Sequence, residues 1–337
     1  PDGSIVSFDQ NDCDLQRFLL HDSYSPKLLQ EVTLAKSRYE AGYHFTNNWI
    51  DLLCGSEGTL ALITGATIKL QRKPIYTYGI SLPFPDARQL FLFWDDFKQS
   101  LTLYPQDLLR QANCFGSSCL KLLQEAATSD HFSYENYTLF HKSPDAATLL
   151  LELGAAEEEV LFEALEHIVS SLEKTELKED CVTVASAESQ LSAMLDLPHR
   201  IVDLTTMSCL NTEKYTADLC VPKDKFSDLF REIADEMSRQ KLTGMLIGQL
   251  LSEQISLCLI GETAKTASVF QSLLDKFLVY GCKCSSKYGV GKKKVQLFKK
   301  LSPQSEYATR CLKMAFDPNF NLNKGVLLDN TSVPENI

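Results

Sequence analysis

Residues 55–59 have the composition of a turn that could bind a ligand through its main chain. Gly55 and Gly58 stand three residues apart, and Ser56 and Thr59 add two hydroxyl groups. Because glycine has no side chain, this spacing allows a tight turn and a close approach of the backbone to a bound molecule. The same residues are also typical of a glycine β-turn that binds nothing, so both interpretations stay open.

Other reactive residues give weaker signals. Ser56 has no partnered histidine, which leaves catalysis by a serine–histidine–aspartate triad without support. The lysine run at 292–294 could bind anions, although a solvated helix start is the simpler interpretation. The eleven cysteines are scattered, and neither close pair, 114/119 or 282/284, has a second pair at zinc-site spacing. We therefore expect free, buried thiols in a reducing cytosol.

The bulk composition is that of a soluble globular protein. A chain of 337 residues suits about two domains, with 44% hydrophobic and 23% charged residues. The net charge of −11 argues against general nucleic-acid binding, which needs a basic face. No apolar run reaches the roughly 18 residues that span a bilayer, so a transmembrane protein is not expected.

The hydrophobic periodicity predicts strands mixed with helices. Hairpins occur without repeated parallel crossovers, which favours an α+β fold with a mostly antiparallel sheet. A β-rich run is predicted at 60–70, and a domain boundary near residue 75. Beyond it, strands are predicted at 76–82, 147–153, 181–185 and 215–221, and a hairpin of strands at 245–251 and 255–260. Helices are predicted at 87–101, 156–172, 186–195, 223–240, 263–280 and twice between 291 and 316. Residues 106–126 are predicted to be mostly helical, with a loop around Gly116.

The first three residues of the chain are typical of a tight turn. Pro1, Asp2 and Gly3 favour a turn, and residues 5–8 are predicted to leave it as a strand. A first domain rarely begins inside a hairpin, so we expect further sequence to precede Pro1.

Residues 42–74 resemble the FAD-linked oxidase family, which includes glycolate oxidase, D-lactate dehydrogenase and D-2-hydroxyglutarate dehydrogenase. The resemblance lies in Gly42-Tyr43, in Gly55-Ser56-Glu57-Gly58-Thr59-Leu60, and in the β-rich run closing at Lys73-Pro74. Ala61 replaces the family's third glycine. The resemblance implies that Gly55, Ser56, Glu57, Gly58 and Thr59 line an FAD site by backbone contacts.

The far end of the chain agrees with this resemblance. Residues 317–325, Asp-Pro-Asn-Phe-Asn-Leu-Asn-Lys-Gly, resemble the family's closing motif, with Lys324 in place of a proline. The resemblance implies that Asn323 lies near the flavin ring. Taken alone, the Asp-Pro-Asn start of this segment is also typical of a turn that stops a helix.

Many family members hold a divalent metal with two histidines and a glutamate. Residues 248–256 align with the first metal motif, but Gln249 and Ser256 stand where its histidines should be. In the second motif Lys287 replaces the metal-binding glutamate, and Tyr288 replaces the histidine that usually serves as base. Because an ammonium cannot bind a cation, no metal site is expected.

The altered site allows two interpretations. Lys287 could stand in for the missing cation and meet a substrate carboxylate, with Tyr288 as a weak acid or base. Alternatively, the cleft has drifted after loss of function and Lys287 is a solvated charge. Arg200 resembles the family's arginine that meets the substrate carboxylate, a role that suits its planar guanidinium, although a surface arginine on a helix explains it as well.

The resemblance also implies a domain plan. Residues 1–74 would form the second part of a flavin domain of the vanillyl-alcohol-oxidase type, residues 75–284 an α+β substrate cap, and residues 285–337 a C-terminal helical segment returning to the flavin domain. The family's preceding half-domain carries the loop that grips the FAD pyrophosphate. We therefore expect this chain alone to bind FAD weakly or not at all, and to be inactive.

For the complete protein, the resemblance implies an FAD-linked oxidoreductase that transfers hydride from a small 2-hydroxy acid to flavin without a metal. The alternative is an inactive flavoprotein subunit or remnant that acts through association, with a flavoprotein or iron–sulfur subunit as partner. A cytoplasmic location is expected, and peripheral association with the inner face of the membrane stays open.

Overall fold

The structure, a computed structural model, falls into two compact units. Unit 1 comprises Pro1–Lys69, Asp218–Cys220 and Cys282–Ile337, and unit 2 comprises Leu70–Ala217 and Val221–Gly281. The structure describes residues 6–9, 11, 39–44, 48–128, 143–208, 212–261 and 264–329.

An antiparallel sheet forms the centre of unit 2. Its strand order is β4-β1-β3-β2-β6-β7-β5, and the last residues of β5 pair with β8 in unit 1. The pairings whose register is described are all antiparallel. The strands are β1 Tyr76–Phe84, β2 Leu109–Gly116, β3 Ala147–Ala155, β4 Thr183–Ala185, β5 Lys214–Cys220, β6 Thr243–Gln249, β7 Gln254–Ile260 and β8 Lys283–Cys284.

Several helices bury an apolar face, as Phe226–Gln240 shows. In the helix Phe226–Gln240, Phe226, Phe230 and Ile233 recur at helical spacing and are buried. The predicted α+β fold with a mostly antiparallel sheet is confirmed. The described helices are α1 Trp49–Leu53, α2 Ala87–Ser100, α3 Ser117–Thr128, α4 Glu158–Leu172, α5 Glu188–Leu195, α6 Leu197–Ser208, α7 Phe226–Gln240, α8 Ala264–Val279, α9 Val295–Leu301 and α10 Pro303–Phe316.

Three local predictions were wrong. Leu109–Gly116 was predicted as helix, but it is strand β2, because it pairs with β3 on one side and β6 on the other. Residues 60–70 form no strand; Leu60 is buried, whereas Leu62, Ile63, Ile68 and Leu70 are exposed. Residues 6–8 also form no strand; instead Phe8 stacks on Trp49. The predicted turn at residues 1–3 lies outside the described residues.

Unit 1 has its own apolar core. The core is formed by side chains from α1, from the loop before α9, from α9 and α10, and from the segment after α10. Its fully buried members include Leu52, Phe298 and Leu327. Cys282 and Cys284 are buried in this unit, and burial raises the pKa of the Cys284 thiol to about 12. Such thiols are packing groups, since the reactive form is the thiolate.

Candidate functional site

The glycine turn follows α1 and exposes its backbone. Gly55, Glu57 and Gly58 all have left-handed backbone, with φ of 77°, 51° and 70°. Both glycines are exposed, and a Cβ added at Gly55 would meet no atom of the described residues within 4 Å. Among those residues, the turn therefore leaves space beside Gly55.

The hydroxyl groups of the turn point inward. The Thr59 hydroxyl donates to the Ser56 carbonyl oxygen at 2.5 Å and lies 2.6 Å from the Tyr43 hydroxyl. Ser56 and Thr59 are 3% and 1% exposed. These two buried residues shape the turn, and its exposed positions are Gly55 and Gly58.

The Glu57 side chain holds a second loop of unit 1. Its Oε1 accepts from the Val290 amide and its Oε2 from the Gly291 amide, both at 2.8 Å. The loop is left-handed at Tyr288, Gly289 and Gly291. Glu57 thus has a structural role that its predicted place in the cofactor site did not include.

Asn323 lies against the same turn. Its Nδ2 donates to the Glu57 carbonyl oxygen at 2.6 Å, and a Cβ added at Gly58 would lie 3.6 Å from it. Asn323 is itself left-handed, with φ of 44°, and exposed. The structure therefore brings Asn323 and the glycine turn together.

Lys313, on α10, makes hydrogen bonds both to the glycine turn and to the segment that precedes Asn323. Its ammonium donates to the Thr59 carbonyl oxygen at 2.5 Å, to Asp317 Oδ2 at 2.5 Å and to the Leu322 carbonyl oxygen at 3.0 Å. Burial alone would raise the pKa of Asp317, but hydrogen bonds from Lys313 and from the Leu322 and Asn321 amides hold it below its usual range. Sequence analysis did not identify Lys313 as a residue of this site. Its spacing of four residues from Asp317 is the one local feature that indicates an ion pair on a helix.

Lys287 is the unusual cation of unit 1. It is partly buried, and its ammonium lies 5.1 Å from the ring centre of Tyr288. Within the described residues its ammonium has no hydrogen bond or ion pair, although its main chain is bonded to Ser285 and Lys294. Burial lowers the pKa of Lys287 to about 8, although Asp218 acts in the opposite direction.

Asp218 is already neutralised by another lysine. Lys294 Nζ lies 2.6 Å from Asp218 Oδ2 and also donates to the Lys287 carbonyl oxygen at 3.2 Å. Both side chains of this pair are nearly buried. Lys292 and Lys293 are exposed, so the lysine run splits into two solvated charges and one buried ion pair.

Tyr288 and Arg200 have different surroundings. Tyr288 is 55% exposed, and burial together with Asp218 raises its pKa. Arg200 lies on α6 of unit 2, where its Nε donates to Asp196 Oδ2 at 3.0 Å. Lys287 and Tyr288 are therefore neighbours in unit 1, whereas Arg200 belongs to the other unit.

The first metal-motif segment carries a neutral, hydrogen-bonded set of side chains in unit 2. Gln249 ends β6 and Gln254 begins β7, and the Ser252 hydroxyl donates to both side-chain oxygens. Ser256 is buried within β7. Across the described part of the chain, no three His, Cys, Asp or Glu side chains are grouped to hold a metal. The residues present do not fit the family's metal.

The sequence comparison decides the family. Residues 119–327 match the family model described as FAD linked oxidases, C-terminal domain. The chain belongs to this family. The resemblance drawn from the glycine turn and the closing motif is confirmed.

Two curated relatives of this FAD-linked oxidase chain are dehydrogenases or oxidases by name. D-lactate dehydrogenase (cytochrome), mitochondrial, of Kluyveromyces lactis is 24% identical over 291 residues, covering 84% of this chain and 47% of the relative. Glycolate oxidase subunit GlcD of Bacillus subtilis is 23% identical over 292 residues, covering 85% of this chain and 57% of the relative. The chain thus spans about half the length of these relatives.

A solved structure shares the fold. The 4-ethylphenol oxidase from Gulosibacter chungangensis, in its isoeugenol complex, matches with a TM-score of 0.52 at 10% identity, covering 77% of this chain and 55% of that one. The predicted relation to folds of the vanillyl-alcohol-oxidase type is confirmed. Among the described helices, none has the length and apolar character of a membrane span.

The contacts of Lys313 predict a large effect of its removal. Lys313→Met leaves the buried Asp317 carboxylate with two amide donors but no cation, so the free energy of unfolding should fall by about 3 kcal/mol in a denaturant titration. The double variant Lys313→Met, Asp317→Asn removes that charge and should recover part of the loss. Equal stability of Lys313→Met and the wild type would contradict this account of the turn.

Proposed function

We propose that this chain is the main part of an FAD-linked oxidoreductase that takes hydride from a small 2-hydroxy acid without a metal. Membership of the FAD-linked oxidase family supports the class, and relatives named D-lactate dehydrogenase and glycolate oxidase support the substrate type. The observation that carries the proposal is the turn at 55–58, in which Gly55 and Gly58 are left-handed and exposed, no described residue lies within 4 Å of a Cβ added at Gly55, and Asn323 lies beside Gly58. Such a turn presents main chain where a flat cofactor could lie.

Each part of the turn then has a role. FAD, when bound, supplies the hydride acceptor. The glycines at 55 and 58 let the backbone approach the cofactor closely, and successive left-handed residues favour amide groups that converge on a negative ligand group. Asn323 donates to the Glu57 carbonyl through Nδ2, which fixes the orientation of its side chain. In this proposal residues 1–74 and 285–337 hold the flavin, and residues 75–284 form the substrate domain.

Lys287 provides the positive charge for the substrate carboxylate. Other cations of its loop are either engaged, as Lys294 is with Asp218, or exposed to water, as Lys292 is. A partly buried ammonium without a partner gains more from an anion than a solvated one does, because its own hydration is already reduced. Arg200 is proposed as a second carboxylate contact.

Tyr288 acts as a hydrogen-bond donor. Burial raises its pKa, so its hydroxyl stays protonated at neutral pH. A protonated phenol can orient a substrate oxygen, but it is a poor base for removing the hydroxyl proton.

The same residue favours a second candidate function. With a protonated phenol in the base position and neutral side chains in both histidine positions, the chain could be an inactive flavoprotein subunit. It would then act by association with a flavoprotein or an iron–sulfur subunit. The two candidates differ in whether substrate reduces the flavin.

A spectrum separates the two candidates. The native protein is purified, its flavin absorbance is recorded, and D-lactate or glycolate is added without oxygen. Bleaching of the flavin band supports the oxidoreductase. A flavin band that neither substrate bleaches supports the inactive subunit, and a colourless protein that stays so with added FAD contradicts the flavin site.

The role of Lys287 is tested by anion affinity. Oxalate serves as a stable carboxylate probe in isothermal titration calorimetry. Lys287→Met should weaken its binding at least about tenfold, because a hydrogen bond to a charged group is worth about 1.5–3 kcal/mol. Lys292→Met is the matched control, since it removes an exposed lysine of the same loop. Unchanged oxalate affinity in Lys287→Met would remove Lys287 from the site.

A further inference from the structure

We propose that Glu57 is a positioning residue, whose carboxylate holds the loop of residues 285–291 in the conformation in which the Lys287 ammonium meets a substrate carboxylate. This inference rests on the proposed function, which assigns the substrate carboxylate to Lys287. It goes further, because it makes a residue of the glycine turn responsible for the affinity of the site for its substrate.

Glu57 contacts the two segments of unit 1 to which the proposed function gives a role. Its main-chain oxygen accepts from Asn323 Nδ2 at 2.6 Å, beside the glycine turn. Its two side-chain oxygens accept from the Val290 and Gly291 amides, at 2.8 Å each. These amides belong to the loop that carries Lys287. One residue therefore joins the part of the site proposed for the flavin to the part proposed for the carboxylate.

The fit between Glu57 and this loop is close. Because each carboxylate oxygen binds a different amide, both the position and the orientation of the group are fixed. At Gly289 the backbone is left-handed, with φ of 68°, and a Cβ added there would lie 3.1 Å from Glu57 Cδ. A side chain at position 289 would therefore press against the carboxylate, and glycine permits the close approach.

The contact lies near enough to Lys287 to fix its place in the loop. Tyr288 and Gly289, which follow Lys287 directly, are both left-handed, and the two amides that Glu57 binds come next in the chain. A residue such as Tyr288 adopts this backbone only where surrounding contacts stabilise it. On the other side, the Lys287 amide donates to the Ser285 hydroxyl at 3.0 Å. Hydrogen bonds thus hold the loop on both sides of Lys287, and Glu57 supplies two of them.

The charge of Glu57 and its geometry predict opposite effects on anion binding. A carboxylate near an anion site repels the anion, so loss of its charge alone would strengthen binding. Loss of its two hydrogen bonds instead frees the loop, and an ammonium that must be ordered when the anion binds gives a weaker affinity. The direction of the change therefore distinguishes a positioning residue from a nearby charge.

Isothermal titration calorimetry of the intact protein with oxalate tests the role of Glu57. In Glu57→Gln one acceptor oxygen becomes an NH2 group that faces a loop amide, so oxalate binding should weaken about fivefold or more. Glu57→Asp keeps the charge but is one methylene shorter, so it should also weaken binding, and it serves where Glu57→Gln does not fold. Unchanged or tighter oxalate binding in these variants would overturn the proposal.

Glu306→Gln is the matched control for a general loss of stability. Glu306 is a buried carboxylate of unit 1 that accepts from Arg310 Nε at 3.1 Å, and it lies on α10, outside the loop 285–291. Its substitution breaks a buried contact of the same unit, yet oxalate affinity should stay within about twofold of the wild type. Equal weakening in Glu306→Gln and Glu57→Gln would overturn the positioning role.

A double variant separates this inference from the proposed function. If Glu57 acts through Lys287, Glu57→Gln should no longer weaken oxalate binding once Lys287→Met is present. An effect of equal size in both backgrounds would overturn the positioning role and leave Lys287 in the site. Unchanged oxalate affinity in Lys287→Met alone would instead reject the proposed role of that lysine, and the positioning role with it.

Discussion

Unit 1 depends on one carboxylate that binds two main-chain amides. Glu57 accepts from the Val290 and Gly291 amides with one oxygen each. Hydrogen bonds to a charged group contribute about 1.5–3 kcal/mol each, whereas a non-glycine residue in left-handed backbone costs on the order of 1–3 kcal/mol. The two bonds together therefore offset the backbone strain at Tyr288, and the loop that carries Lys287 is held beside the glycine turn.

This arrangement leaves the two glycines of the turn exposed, although much of its main chain is hydrogen-bonded within the protein. The Glu57 and Thr59 side chains are hydrogen-bonded, and Ser56 is buried. Lys313 and Asn323 fix the turn through two carbonyl oxygens. A rigid surface of this kind binds a ligand without first having to order its own side chains. The loop held by Glu57 also keeps Lys287 partly buried, with no ion pair of its ammonium among the described residues.

Sequence reasoning found the parts of the site that depend on local chemistry. The glycine spacing predicted a tight turn, and the family resemblance implied that the turn and Asn323 both lie near the flavin. Hydrophobic periodicity placed α2, α4, α7 and α8 to within a few residues, because their apolar positions recur every three or four residues.

The features that sequence reasoning missed depend on distant partners. Strand β2 looks helical by itself and is strand only because β3 and β6 flank it. The Glu57 carboxylate finds its partners 233 and 234 residues away, and Lys313 reaches Thr59 across 254 residues. The pair of Asp218 with Lys294 likewise joins two separate stretches of the chain. No local pattern specifies which of many carboxylates and lysines will meet in this way.

Hydrogen–deuterium exchange of the Val290 and Gly291 amides tests the central contact most directly. In the wild type both amides should be protected, since each is bound to a Glu57 oxygen. In Glu57→Gln one acceptor oxygen becomes an NH2 group, so at least one of the two amides should exchange about tenfold faster or more. Rapid exchange of both amides in the wild type, or identical protection in the two proteins, would contradict the account.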